Sequence, residues 1–495
     1  MYVFAFLGAS LLVCALVWLR SSPRVLHALP LPPGPQTNWL GTVNNLPKVR
    51  PWLIYGGDWR QKFGDLVYIK VFRNPILILN SAQVVSDLLE KRGGVFSSRP
   101  SRTMLELVGW DWLVSMFPYS SKLTQHRHMI HRHLPANESS IKYHDLQIQE
   151  ARNLCRLLSE TPGQFRTHIR TASASIVLRM SYGETVDTAQ YIPLADQALS
   201  SLAQAGIFGT YLVDYLPILK HAPPWFSFKR KALAWRPPVR AMRDEPFTAV
   251  KQHIAQGHAT HCLVSEELER LACDADRAEN EKVIANVAST LFAAGADTVV
   301  SAIAAFFLVM ALHPEIQAKA QQDLDDVLGG LRLPTFADRA QLPFIEWIIN
   351  ELLRWRPVTP LGLPHYTSEE CSYAGYRIPA GTTIVANVWA ILHDPEIYPD
   401  PDTFNPWRYG DQQGGRNPFP DPAFGFGRRF CPGKHLALDT LFIIIATTLA
   451  VFTVTDDGEK PSTEFTPHSL SHPLPFGCTI TKRATAHDLI IDEKM

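Results

Sequence analysis

The sequence predicts a mainly α-helical globule with a minor β portion, preceded by a single N-terminal transmembrane helix. Three observations predict it. Hydrophobic residues make up 46% of the 495 and charged residues 19%, ample material for a large core, and most of it falls in helical runs rather than alternating strands. Residues 283–312, VIANVASTLFAAGADTVVSAIAAFFLVMAL, and the run LALDTLFIIIATTLAVF after Cys431 are apolar on nearly every side, as helices through a core are. Residues 2–19, YVFAFLGASLLVCALVWL, carry no charge and at helical rise span ~27 Å, close to the hydrocarbon thickness of a bilayer.

The organisation follows from the N-terminus. Arg20 and Arg24 follow the apolar run and no side-chain cation precedes it, so the positive-inside bias leaves the remainder cytosolic. A cleaved signal peptide fits less well, because the basic leading region and the small-residue cleavage site are missing. LPLPPGPQ at 29–36 reads as a stiff proline-rich hinge, and 37–495 as one domain, with no internal linker or repeat. The sequon at Asn137 would then face the cytosol and carries no weight. Lys+Arg and Asp+Glu are both 47, so no basic excess speaks for nucleic acid. Seven cysteines without a C-x-x-C pair read as reduced thiols rather than a disulfide framework.

Along the chain, 66–80 reads as two short strands around Asn74-Pro75, and 81–91, 142–160 and 165–182 as helices. Residues 211–231 read as an aromatic and basic loop, either a surface that dips into a bilayer or a plain connection. Residues 247–272 and 315–328 read as amphipathic helices, 373–390 as short strand pieces and 394–422 as irregular. The run 283–312 is long enough to span a membrane, but Asp297 near its centre and its Ala, Gly, Ser and Thr content favour a core helix. Small residues at 293–296 would leave room beside it.

One decapeptide carries the chemistry. FGFGRRFCPG, residues 424–433, surrounds Cys431 with three glycines and two arginines. A buried structural thiol needs none of that, whereas a thiolate needs nearby donors, positive charge or a metal. One cysteine cannot build a zinc or iron–sulfur site alone. It does suffice for a metal whose other ligands come from a macrocycle, which is haem iron.

The loop resembles the haem-binding loop of the cytochrome P-450 monooxygenases, F-x-x-G-x-R-x-C-x-G, matching at Phe424, Gly427, Arg429, Cys431 and Gly433. The resemblance implies that Cys431 is the axial ligand of haem b (heme), in a cytochrome P-450 fold. Glu351-Leu352-Leu353-Arg354 resembles the family's E-x-x-R pair, which implies a structural triad of Glu351, Arg354 and Arg408; Trp407 stands where the family has an acid. AGADT, 294–298, resembles its oxygen-activating segment and implies that Thr298 and Asp297 manage proton delivery, where a hydroxyl pins a water and a carboxylate relays protons, with a groove for O2 along 294–296. By the same resemblance Arg429, His365 and Arg127 hold the haem propionates. Leu123 replaces a tryptophan four residues before Arg127, so one propionate donor is missing. The four histidines of QHRHMIHRH, 125–133, lack the carboxylate or cysteine of a metal site and read as a basic face for an acidic redox partner.

The resemblance covers nearly the whole chain and is greatest to the microsomal, fungal-type branch. It implies a single-pass enzyme of the endoplasmic reticulum membrane, with NADPH supplying electrons through a separate NADPH–cytochrome P-450 reductase and cytochrome b5 an optional second donor. It also implies a lipophilic small-molecule substrate, of terpenoid or polyketide type as in secondary metabolism, lined by Leu361, Leu363, Phe208 and Leu470. Two rival readings stand beside it. One is a thiolate-haem isomerase or dehydratase that needs no electrons; the other is a degenerate, non-catalytic haem-binding membrane protein.

Overall fold

The helical frame runs α1 (Ser121–His133), α2 (His144–Glu160), α3 (Phe165–Tyr182), α4 (Thr188–Gly206), α5 (Ser227–Ala255), α6 (Arg277–Leu312), α7 (Pro314–Leu328), α8 (Pro343–Trp355) and α9 (Lys434–Val451). This computed structural model describes residues 28–36, 46–47, 49–72, 74–135, 141–206, 210–258, 260–271, 276–410 and 417–484. The predicted anchor at 2–19, Asn137 and Phe208 lie outside the described residues.

α6 and α9 are each long and apolar enough to cross a membrane, yet most of that surface is buried in the protein itself. Their second halves share one core: Phe306, Phe307, Phe442, Ile443 and Ile444 are all fully buried, with α8 packed alongside through Ile345, Ile348 and Ile349. The first half of α6 belongs to a second apolar cluster that includes Trp110, Trp112 and Leu123. α6 ends where Pro314 disfavours helical backbone at His313, and the same proline then starts α7 at its first position.

Glycine in the AGADT segment has a packing cause. A Cβ on Gly295 would lie 2.3 Å from Val177 Cγ1 of α3, and Ser173 Oγ on the same helix donates to Gly295 O at 3.1 Å. Ala293 and Ala296 are also buried. The small residues therefore let α3 lie close against α6, and of 293–296 only Ala294 is exposed.

The β portion is small. β1 (Leu66–Val71) and β2 (Asn74–Leu79) form the antiparallel pair expected around Asn74-Pro75. β3 (His365–Tyr366), β4 (Cys371–Tyr373), β5 (Tyr376–Ile378) and β6 (Thr383–Ala386) follow, and the main sheet has the order β1-β2-β6-β3, with β2 and β6 parallel. A single bridge, Ser98 to Tyr366, extends that sheet to residues 96–99. β7 (Phe452–Thr455) and β8 (Thr479–Lys482) pair near the C-terminus.

The region around 211–272 departs from the sequence expectation. α5 begins at Ser227, inside the expected loop, and runs through Pro237, Pro238 and Pro246 to Ala255. The expected helix over 247–272 is broken at Gly257, whose φ of +73° takes the left-handed conformation that ends helices, and a separate short helix spans Leu263–Arg270. Prolines, read as helix breakers, concealed α5.

The α3–α6 contact yields a direct test. Gly295→Ala is expected to cost ~1–3 kcal/mol through overpacking, read as a lowered urea midpoint, and Val177→Ala in the same chain is expected to recover most of it. Equal loss in the single and double variants would contradict this packing role.

Candidate active site

Two short 3₁₀ turns, Asp421–Phe424 and Gly427–Arg429, fold the decapeptide into a loop leading into α9. Cys431 N–H donates to Phe424 O at 2.9 Å and closes it. Gly427 is obligatory on two counts: its φ is +51°, and a Cβ there would lie 2.2 Å from Leu89 O. Burial pushes the Cys431 thiol above its usual range, against the Gly433 N–H and the positive charge of Arg127, which favour the thiolate. The protein alone therefore does not ionise this sulfur; a metal would.

Around the loop, four basic side chains converge. Arg429 donates through Nε to Ser97 O and through Nη2 to Phe117 O, both at 2.6 Å. Arg99 donates through Nη1 to Leu363 O at 2.7 Å and Pro364 O at 2.8 Å. Arg127 donates to Phe430 O at 3.1 Å. His365 on β3 donates its Nδ1–H to Phe96 O at 2.8 Å, the tautomer its carbonyl partner requires. Residues 96–99 thus tie the sheet, the arginines and the cysteine loop together.

No carboxylate among the described residues acts on these arginines. Burial, then repulsion from Arg429 and Arg127, lowers Arg99 to about 9. Burial and Arg127 lower Arg429 to about 10, and burial lowers Arg127 against the pull of Cys431. His365 is held neutral by burial and by Arg99 and Arg429. Leu123 is buried in the apolar core and offers no donor.

On α6, Asp297 is buried and Thr298 Oγ1 donates to Ala294 O at 2.8 Å. With its proton committed to that carbonyl, the hydroxyl presents lone pairs rather than a donor. The Asp297 carboxylate accepts from Arg170 Nη2 at 3.2 Å and from His472 Nε2 at 3.4 Å.

Behind the loop, Glu351 accepts two bonds from Arg354, both 2.8 Å, and one from Arg408 Nε at 3.1 Å. The α1 histidines have separate partners: His126 lies on Lys122 O and Asn286, His131 on Arg127 and His133 on Glu267, while His128 is exposed. Among the described residues no three His, Cys, Asp or Glu side chains gather to hold a bare metal ion.

The comparisons with known proteins bear on this arrangement. The cytochrome P450 family pattern matches residues 32–480. The chain belongs to the cytochrome P450 family. It is similar to cytochrome P450 monooxygenase 98 of Postia placenta, 39% identical over 97% of this chain and 95% of that one. Cytochrome P450 monooxygenase COX2 of Coprinopsis cinerea is 40% identical over 87% of this chain and 84% of its own. Cytochrome P450 monooxygenase ppsD of Aspergillus oryzae is 37% identical over 95% and 92%. The mainly helical architecture is the P450 fold, the chain is a cytochrome P450 monooxygenase, and its cofactor is haem-thiolate iron; reduction from NADPH through a reductase is typical of the family.

The residues fit that cofactor. Haem carries two carboxylates, and the buried arginine cluster lacks acidic partners. Its iron accepts a thiolate, and Cys431 is a thiol that burial alone leaves protonated. Sequence reasoning passed over Arg99. The residues it serves are far away in the sequence, and the Ser98–Tyr366 bridge with its bonds to Leu363 O and Pro364 O brings it beside β3.

Arg99→Leu is expected to speed haem loss to apomyoglobin by ~10- to 100-fold, the ~1.5–3 kcal/mol of a charge-assisted hydrogen bond. An unchanged transfer rate would separate Arg99 from haem binding.

Proposed function

We propose that this P450 monooxygenase is anchored in the endoplasmic reticulum membrane by residues 2–19, faces the cytosol, and oxidises a lipophilic small molecule of terpenoid or polyketide type. Its electrons come from NADPH–cytochrome P-450 reductase. The observation that carries the site assignment is the cluster of buried Arg99 and Arg429 with half-buried Arg127 beside Cys431, on which no carboxylate acts among the described residues.

On this reading Cys431 ligates the iron, and Arg99, Arg127 and Arg429 hold the propionates. His365 has its Nδ1–H committed to Phe96 O, so it joins them through a second N–H on Nε2 only when a bound anion restores its charge. Phe424 and Gly427 shape the loop, Gly433 N–H steadies the sulfur, and Glu351, Arg354 and Arg408 are scaffold. When bound, the haem supplies the centre at which O2 is activated. Thr298 accepts a hydrogen bond from a water and holds it in place, and Asp297 supplies protons.

Two further features support the membrane and substrate assignments. Leu212, Ile218 and Trp225 are 57%, 75% and 74% exposed, and Phe226 and Leu233 of the same stretch are exposed as well, apolar side chains suited to a bilayer surface. Leu363 is exposed and Leu361 and Leu470 are part-buried, as residues lining an apolar pocket are. The outward face of α1 is narrower than its composition implies: Lys122, Gln125 and His128 are exposed, while Arg132 pairs with Glu267. A reductase would meet that face with modest electrostatic attraction.

Reconstitution with reductase, NADPH and a panel of terpenoids and polyketides tests the reading. Product requires NADPH, and Thr298→Ala is expected to lower product per NADPH roughly tenfold or more while peroxide rises. Unchanged yield per NADPH in Thr298→Ala would contradict the role given to Thr298, and product formed without NADPH would contradict the electron route.

A further inference from the structure

Asp297 stands where two neighbouring elements meet α6. Arg170 of α3 holds one carboxylate oxygen at 3.2 Å and reaches on to Asp196 of α4 at 2.7 Å. His472 of the C-terminal segment donates to the other oxygen at 3.4 Å. Side-chain exposure rises outward, from 12% at Asp297 to 25% at His472, 31% at Arg170 and 41% at Asp196. A path from solvent to the interior of α6 therefore runs through these groups.

His472 is firmly held. Its N–H donates to Thr466 Oγ1 at 3.0 Å, and Thr466 N–H donates to His472 O at 2.8 Å. The preceding carbonyl, Ser471 O, accepts from Ser301 Oγ on α6, one turn beyond Asp297, at 2.5 Å. Asp297 on α6 faces His472 directly; Arg170 on α3 stands on the other oxygen of Asp297 and pairs with Asp196 on α4, and Arg166 on α3 donates to Leu474 O two residues on.

The two partners of Asp297 differ chemically. Burial raises Asp297, but His472 and Arg170 outweigh it and leave the carboxylate below its usual range, so it stands ionised with Oδ2 facing the His472 ring N–H. A guanidinium does not release one at any working pH, whereas an imidazole does. Only one of the two contacts can carry a proton.

We propose that His472 is the proton-entry residue of the monooxygenase reaction, passing solvent protons to Asp297, while Arg170 positions the carboxylate. The Nε2–H bond of the imidazolium breaks and an O–H bond forms on Asp297 Oδ2. The neutral imidazole then recovers its proton from solvent water. This rests on the reading of Asp297 as the internal proton donor.

His472→Gln keeps a hydrogen-bond donor at this place and removes the exchangeable ring. In the haem-loaded enzyme with reductase, His472→Gln is expected to lower product per NADPH ~3- to 10-fold, raise peroxide and enlarge the solvent deuterium isotope effect, with the CO spectrum and thermal midpoint of the wild type. A glutamine variant coupled as tightly as wild type would overturn the proposal and leave the monooxygenase reading intact. A second readout needs no turnover. In ¹⁵N-histidine NMR of the resting protein, Asp297→Asn is expected to move the Nε2 resonance of His472, and an unmoved resonance would overturn the contact. A wild type that consumes no NADPH would instead remove the underlying reading, and the proposal with it.

Discussion

Glu351 is a fully buried carboxylate facing two fully or nearly fully buried guanidiniums, Arg354 and Arg408. The rest of the site depends on that balance. One negative charge against two positive ones would leave an uncompensated buried ion, and backbone carbonyls supply the remainder: Leu392 O accepts from Arg354 at 3.1 Å, and Pro399 O accepts from Arg408 at 2.9 Å. The triad thereby ties α8 to the stretch 399–408 just ahead of the cysteine loop. Breaking such a buried group by removing one partner typically costs ~3–5 kcal/mol. Trp407, next to Arg408, packs 5.4 Å from the Phe344 ring, so the tryptophan in place of an acid joins the apolar core and takes nothing from the triad.

The second arginine cluster shows the opposite balance. Arg99, Arg127 and Arg429 also reach carbonyls, but no acid stands among them, and burial and mutual repulsion lower Arg99 and Arg429. Around Glu351 a carboxylate and carbonyls together face the guanidiniums; around the cysteine loop, among the described residues, carbonyls face them alone. Scaffold and ligand site are distinguished by the carboxylates missing among the described residues, and the two acidic groups of haem are of the right sign to face the arginines.

Much of this was legible in the sequence wherever the pattern is local. The cysteine loop spans ten residues, E-x-x-R one helical turn and AGADT five residues, so spacing alone displays them. The apolar runs of α6 and α9 and the strands around Asn74-Pro75 are likewise written in periodicity. Contacts between distant segments were not. Arg99 and His472 lie far in sequence from the residues they serve. Gly295 looked like space for a ligand, but its reason is the Val177 side chain. α5 was hidden by three prolines, and the charge on His365 could not be read without knowing that Arg99 and Arg429 surround it.

The Cys431 sulfur, in the loop that follows the Glu351 triad, is the group proposed to ligate the haem iron. The CO-difference spectrum of the dithionite-reduced protein tests it most directly, read for wild type and Cys431→His side by side. Ligation by Cys431 gives the long-wavelength band of a thiolate-ligated haem in wild type, and its replacement by the shorter-wavelength imidazole band, or by loss of haem, in Cys431→His. A thiolate band that survives the substitution would contradict it.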